Sequence, residues 1–246
     1  MQPELKPGER IDDLNNGYFL IQKSGTFCFG TDTVLLADFA SPRKGEKCVD
    51  MGAGNGAISI LMASHRQDIT IDAVEIQPEM ADMAARSVQM NRLDEIIRVH
   101  TGDMRSAYEY LGCGKASLVV CNPPYGGSGA VLLSTREQER IARHESDLSC
   151  EDIAFSAGKL LKFGGRFCVV YPAQRAFEMM AAMDKYRLAP KRIRSVHHTA
   201  EKAPKIVLIE AVMCGGKGLH WLPPLVLFDE DGNRTAECRR IYRETE

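Results

Sequence analysis

Four consecutive residues, Asn122-Pro123-Pro124-Tyr125, bring together groups suited to chemistry on a planar amino nitrogen. An asparagine side-chain carbonyl and a proline-locked backbone carbonyl accept two hydrogens, and a tyrosine ring stacks on a flat substrate. The tetrad ends an apolar run, Ala116-Ser117-Leu118-Val119-Val120-Cys121, that reads as a buried strand. Two prolines stop any sheet ladder there. An open α/β sheet carries its ligands at the carboxyl ends of its strands. Asn-Pro and Pro-Pro are also ordinary turn signals, so the tetrad alone leaves a plain strand-terminating turn open.

Upstream residues supply the second half of a site. Lys47-Cys48-Val49-Asp50-Met51 is an apolar run carrying an acid, followed by Gly52-Ala53-Gly54-Asn55-Gly56 and a helix-period stretch over 57–65. Strand, glycine loop and helix open a nucleotide-binding βαβ unit. The glycines let the backbone approach a ligand at the positive end of a helix. A second strand over 71–75 ends in Glu75, roughly 20 residues past the loop, where an acid takes both hydroxyls of a ribose. A third over 96–100 leads into Thr101-Gly102-Asp103-Met104, where Asp103 could read an adenine amino group and Met104 could lie on its ring. Asp50, Glu75, Asp103 and Asn122 thus recur at one edge of one parallel sheet. Each alone could be a helix cap; four together argue for a site. Thr31 or Asp32 is a plausible N-cap for a helix over 33–40, and either could instead face a ligand.

The glycine loop and strand-end acid fit either a dinucleotide or S-adenosylmethionine. Gly52 and Gly54 match the first two positions of the dinucleotide pattern, and Ala57 satisfies its looser third. The Asn122 tetrad decides between them, because nothing in hydride transfer calls for it.

The elements needed to hold these residues predict an α/β fold, doubly wound around a mostly parallel sheet of about seven strands. Residues 1–25 read as a hairpin-like arm, 26–228 as one domain and 229–246 as a charged tail, mobile or helical. Further helices are expected over 80–91 (opened by Pro78-Glu79), 105–112, 149–161 (stopped by Gly164-Gly165) and 174–186. In the last, Phe177, Met180, Ala181 and Met183 read as a core face. Strands are expected over 166–172 and 206–213, with 221–228 packed on the sheet edge.

Composition narrows the partners. The 246 residues carry a formal net charge of −2, so a nucleic acid must be held by a local patch. The stretch 185–205 offers one: Lys185, Arg187, Lys191, Arg192, Arg194, Lys202 and Lys205 face only Glu201. Phosphate binding and a merely exposed basic edge both remain open. His197-His198 lacks metal-ligand spacing, so no metal is expected. The Gly-, Ser- and charge-rich loop 126–146 suits a lid or substrate loop, or a solvated charged segment. Eight cysteines without C-x-x-C pairing suit reduced thiols. With no signal peptide and no apolar run near ~18 residues, the expectation is a cytoplasmic protein off the membrane.

With these residues assembled, the chain resembles the class I S-adenosylmethionine-dependent methyltransferases that carry a D/N-P-P-Y/F motif. The resemblance covers roughly residues 25–215. More narrowly, the chain is similar to the bacterial tRNA1(Val) adenine-37 N6-methyltransferase group. It shares Phe29-Gly30-Thr31-Asp32 with Val34-Leu35-Leu36, Val74-Glu75-Ile76, Asn122-Pro123-Pro124-Tyr125, Ile141-Ala142-Arg143-His144-Glu145 and the Leu222-Pro223-Pro224-Leu225 tail. The resemblance implies a Rossmann-like fold with an antiparallel C-terminal strand and methyl transfer to an adenine N6 in RNA. Asn122, Pro123 and Tyr125 would be catalytic. Gly30, Thr31, Asp32, Asp50, Gly52, Ala53, Gly54, Glu75, Ile76, Gly102, Asp103, Met104 and Asn122 would hold the cofactor. The same tetrad serves in protein glutamine methylation, and a non-catalytic nucleic-acid-binding module is the third possibility. The basic stretch favours RNA.

Overall fold

Strand alternation divides the interior into two cores. Leu118 and Val120 enter one and Val119 and Cys121 the other, as do Cys168 and Val170 against Phe167 and Val169. A strand apolar on both faces belongs in the middle of a sheet covered twice. The computed structural model describes residues 4–14, 17–23, 30–124 and 148–243. Tyr125 and the 126–146 loop lie outside the described residues.

The central strands are β3 (Lys47–Met51), β4 (Thr70–Glu75), β5 (Ile97–Thr101), β6 (Ala116–Cys121), β7 (Leu161–Pro172), β8 (Leu188–His197) and β9 (Ile206–Met213). Their order is β8-β9-β7-β6-β3-β4-β5, all parallel except β9, which runs antiparallel between β7 and β8. Two short strands, β10 (His220–Trp221) and β11 (Leu225–Val226), pair parallel with β8, so the sheet has nine strands rather than about seven. They place the tail on the sheet edge, as expected. Helices α1 (Thr31–Ala40), α2 (Ala57–His65) and α3 (Pro78–Met90) cover one face. Helices α4 (Ala107–Leu111), α5 (Cys150–Leu160) and α6 (Ala176–Lys185) cover the other. The sheet is doubly wound.

Before it, β1 (Glu9–Asp13) and β2 (Phe19–Lys23) form an antiparallel pair against α3. The backbone amide of Ile21 donates to Ser87 Oγ at 2.9 Å, and Arg86 pairs with Glu9 at 2.6 Å. After the sheet, α7 (Ala236–Tyr242) packs on α1, capped by Thr235.

Four local expectations change. Helix α1 begins at Thr31, with Gly30 at its N-cap position and no side-chain cap; Asp32 accepts from the Thr33 amide inside the first turn. Ser149 closes a capping box with Asp152, and α5 passes directly into β7, so Gly164-Gly165 bends a strand instead of ending a helix. On α6 the buried residues are Met179, Ala182 and Met183, whereas Phe177 is 79% exposed. Finally, 188–197 is a strand, masked in the sequence by Pro190 and its charges.

At the amino ends of the parallel strands, Arg166 is only 4% exposed. Its Nη1 donates to Glu210 at 3.1 Å and to the Ala40 carbonyl, and its Nη2 to Glu46 at 2.8 Å. Arg192 meets the same Glu210 carboxylate at 2.8 Å and stacks over Phe39. Burial opposes ionisation of Glu210, but the two guanidiniums win and hold its carboxyl below the usual range. Its contribution is therefore present at neutral pH and lost as pH falls through that lowered value. Glu210→Ala leaves two guanidiniums around an empty seat, and urea unfolding at pH 7 should show a loss of about 3–5 kcal/mol.

Candidate active site

The strand ends are level. Met51 lies opposite both Val74 and Cys121, and Glu75 opposite Thr101. Gly52, Glu75, Gly102 and Asn122 consequently stand along one edge of the sheet. The loop after β3 hangs on the end of β4: the amides of Gly52 and Ala53 both donate to the Val74 carbonyl at 2.9 Å. Gly52 has φ +76, and a Cβ there would stand 3.7 Å from Met104 Sδ, so the loop and Met104 face each other closely. Gly56 has φ +87, where a Cβ would press on the Ala84 Cβ at 3.2 Å.

Glu75 is buried. Its Oε2 accepts from the Gly54 amide and its Oε1 from the Gln77 amide, each at 2.8 Å. Burial raises its carboxyl above the usual value against those bonds. The acid therefore fixes the loop first, and ribose hydroxyls would share a carboxylate that is already oriented. Beside it Ile76 is 46% exposed, an apolar wall open at the site.

Asp50 stands one residue inside the edge, opposite Ala73 and Val120, and is fully buried. Its side chain turns toward α2, where Ser59 Oγ donates to Oδ2 at 2.7 Å. Oδ1 has no hydrogen-bond partner among the described residues. Burial, aided by Glu75, pushes the carboxyl up to about 7 against the Ser59 bonds. An orphaned acceptor behind a glycine loop is a place for a donor or a positive charge. Together with the Gly52 cradle, it fits a cationic ligand carrying an adenosine group.

Asp103 is already held by its own turn. Its carboxylate accepts from the Arg105 amide at 2.8 Å, capping the short 3-10 turn over Met104–Ser106, and pairs with the Arg105 guanidinium at 2.6 Å. Met104 is held from α5, where Ser156 Oγ donates to its carbonyl at 2.5 Å.

At the tip of β6, Asn122 is half-buried and Pro123 buried. Asn122 Nδ2 donates to Thr33 Oγ1 on α1 at 3.4 Å. Thr33 is 3% exposed, and the sequence reading missed it because a threonine within an apolar helix looks like packing. Thr31 and Asp32 occupy the same first turn, next to this contact.

The basic stretch does not form one patch. Strand β8 spans about 30 Å, and Lys185 and Arg187 precede it, at the sheet edge opposite Asn122. Lys185 pairs with Glu151 at 2.7 Å, and Arg194 with Glu237 at 2.8 Å. Arg192 is committed to Glu210, and Lys191 donates to the carbonyls of Gly216, Lys217 and Gly218. Only Lys202 and Lys205 follow the carboxyl end of β8, both exposed. A run of cations in sequence became a set of local braces once a strand stretched it out.

Residues 18–191 match the family described as Methyltransferase small domain. The chain belongs to this family. It is an S-adenosylmethionine-dependent methyltransferase. It is 32% identical over 185 residues to a tRNA1(Val) (adenine(37)-N6)-methyltransferase of Cronobacter sakazakii, covering 73% of each chain. A protein of the same name from Porphyromonas gingivalis is 29% identical over 187 residues, covering 74% of this chain and 72% of its own. Among solved structures, a predicted O-methyltransferase from Agrobacterium tumefaciens shares the fold, with a TM-score of 0.71 at 21% identity over 87% of this chain and 96% of that one. The methyltransferase fold expected from the sequence is therefore the fold observed. No helix among the described residues is long and apolar enough to cross a membrane. The described cysteines are free thiols, and burial pushes Cys48 up to about 12.

Two outcomes follow. Because folded Asp50 keeps its proton to about 7 while the unfolded chain loses it near about 3.9, wild-type stability should fall as pH rises through that window. Asp50→Asn should flatten the slope between about pH 4 and 7 in denaturant titrations. Thr33→Val removes the oxygen that orients Asn122; kcat should fall about tenfold or more with cofactor affinity unchanged.

Proposed function

We propose that this methyltransferase methylates the exocyclic N6 of an adenine in tRNA, an adenine of the anticodon-loop position-37 type. The observation that carries the proposal is Asn122, held by Thr33 at the end of β6 and followed at once by the buried Pro123. The names of the relatives support tRNA as the acceptor. The dispersed arginines and lysines of 185–205 no longer do. A tRNA substrate would place the enzyme in the cytoplasm.

An adenine amino group is a poor nucleophile because its lone pair is delocalised into the ring. The Asn122 side-chain oxygen and the Pro123 backbone carbonyl accept its two N–H bonds and draw the nitrogen toward tetrahedral geometry. The lone pair is then localised and can be aimed. Two prolines fix that carbonyl in advance, so little reorganisation accompanies the reaction. Tyr125 is assigned the stacking partner of the base, a contact worth about 1–3 kcal/mol. An unpaired loop nucleotide leaves its stack cheaply, which suits a site entered edge-on from above the strands. When bound, S-adenosylmethionine supplies the electrophilic methyl group. The glycine loop, Glu75, Ile76 and Met104 would hold its adenosine part, and Gly30, Thr31 and Asp32, with Asp50 behind the loop, would hold its cationic end. The proton leaves the product nitrogen to water, so no strong general base is required.

The test is methyl transfer from labelled cofactor to bulk tRNA, to purified protein-release factors and to DNA, followed by nucleoside mass spectrometry. Label should appear in tRNA as N6-methyladenosine. Label on a release-factor glutamine, or none on any acceptor, overturns the reading. Asn122→Ala should reduce transfer by about 10²–10³-fold with cofactor affinity within twofold of wild type.

A further inference from the structure

The first turn of α1 has a second side. A cavity of about 360 Å³ opens there between α1, α2, the β1–β2 pair and α7. Among the described residues it is lined by none of the glycine loop, Glu75, Asp103 or Asn122; Gly30 and Thr31 are its shared wall with the candidate active site. Its volume lies in the range of small-molecule sites, roughly 300–1,000 Å³.

The lining has three chemically distinct parts. Leu14, Val34, Leu61 and Ile241 give an apolar floor. Over it, the Arg234 guanidinium stacks on the Tyr242 ring with its carbon 3.9 Å from the centroid, a flat surface of the kind on which unpaired bases lie. Arg243 and Asp13 stand on the rim. Among the described residues no carboxylate lies within ion-pair distance of Arg243. His65 lines the same space, and burial together with Arg243 pushes its imidazole down to about 4, so it is neutral at physiological pH and either donates or accepts. Floor and stacked plane suit a base, the carboxylate a ribose hydroxyl, and the guanidinium a phosphate.

We infer that this cavity binds a nucleotide of the RNA substrate that neighbours the methylated one. The assignment rests on the tRNA reading for the identity of that nucleotide. Proximity supports it: Thr31 lines the cavity, and Thr33, two residues along the same helix, contacts Asn122. An RNA strand passing over the start of α1 places one base at Asn122 and another behind the helix. It also adds RNA contacts to those that the exposed Lys202 and Lys205 could make.

Two full-chain variants test this. Leu61→Trp fills the floor, and Arg243→Glu reverses the rim charge on an exposed residue. Filter retention with bulk tRNA measures RNA binding. Calorimetric titration with AMP, in protein saturated with S-adenosylhomocysteine so that the cofactor site is filled, measures the cavity alone. Both variants should bind tRNA and AMP at least tenfold more weakly, with S-adenosylmethionine affinity within twofold. If wild type methylates tRNA and Arg243→Glu binds tRNA and AMP normally, the cavity assignment is wrong and the tRNA reading stands. If wild type does not bind tRNA but its AMP binding is lost in Arg243→Glu, the cavity is a nucleotide site and the tRNA reading falls. Should Leu61→Trp fail to fold, Arg243→Glu decides.

Discussion

Met51 faces Val74 on one side and Cys121 on the other, and the place of every candidate site residue on the sheet follows from that register. Parallel pairing brings the ends of β3, β4 and β6 to one height, so the loops that leave them share one space. A shift of one residue would turn Asp50 to the opposite face and carry Asn122 away from Thr33. The hydrophobic alternation that specifies the register is strong because both faces are buried. The site is thus positioned by the core beneath it and needs no dedicated scaffold.

Much of this was legible in the chain itself. The acids, glycines and Asn122 each follow an apolar run of strand length, and the run length tells where the strand stops. The role each acid plays was less legible. Glu75 braces the glycine loop, Asp50 is buried against Ser59, and Asp103 caps a turn. A carboxylate beside backbone amides takes those bonds whether or not a ligand is near, and composition cannot separate the two uses. Thr33 was invisible for a related reason: its place in the candidate site comes from a contact with a residue 89 positions away.

The basic stretch shows where one-dimensional reading fails. Seven cations within 21 positions look like a surface. Extended at about 3.3 Å per residue, they instead reach from one edge of the sheet to the other. Most then meet the nearest acid or carbonyl, because an exposed cation beside a carboxylate closes that pair at little cost. Conversely, the cavity behind α1 gathers residues from 13 to 243, a spread no linear pattern announces.

The bond from the Gly54 amide to Glu75 bears on how function can be dissected at all. One carboxylate keeps the shape of the loop and, in the proposed site, would also meet the ligand. Glu75→Gln would alter the loop conformation, the charge of the site and any ribose contact together. The measured loss would exceed any one of those, and single substitutions in the loop and at Glu75 would not sum. Apportioning it takes a cycle that pairs Glu75 with a backbone-altering change at Gly54. The same bond means that the ligand arrives at a loop already folded, so little of its binding free energy is spent on ordering the chain.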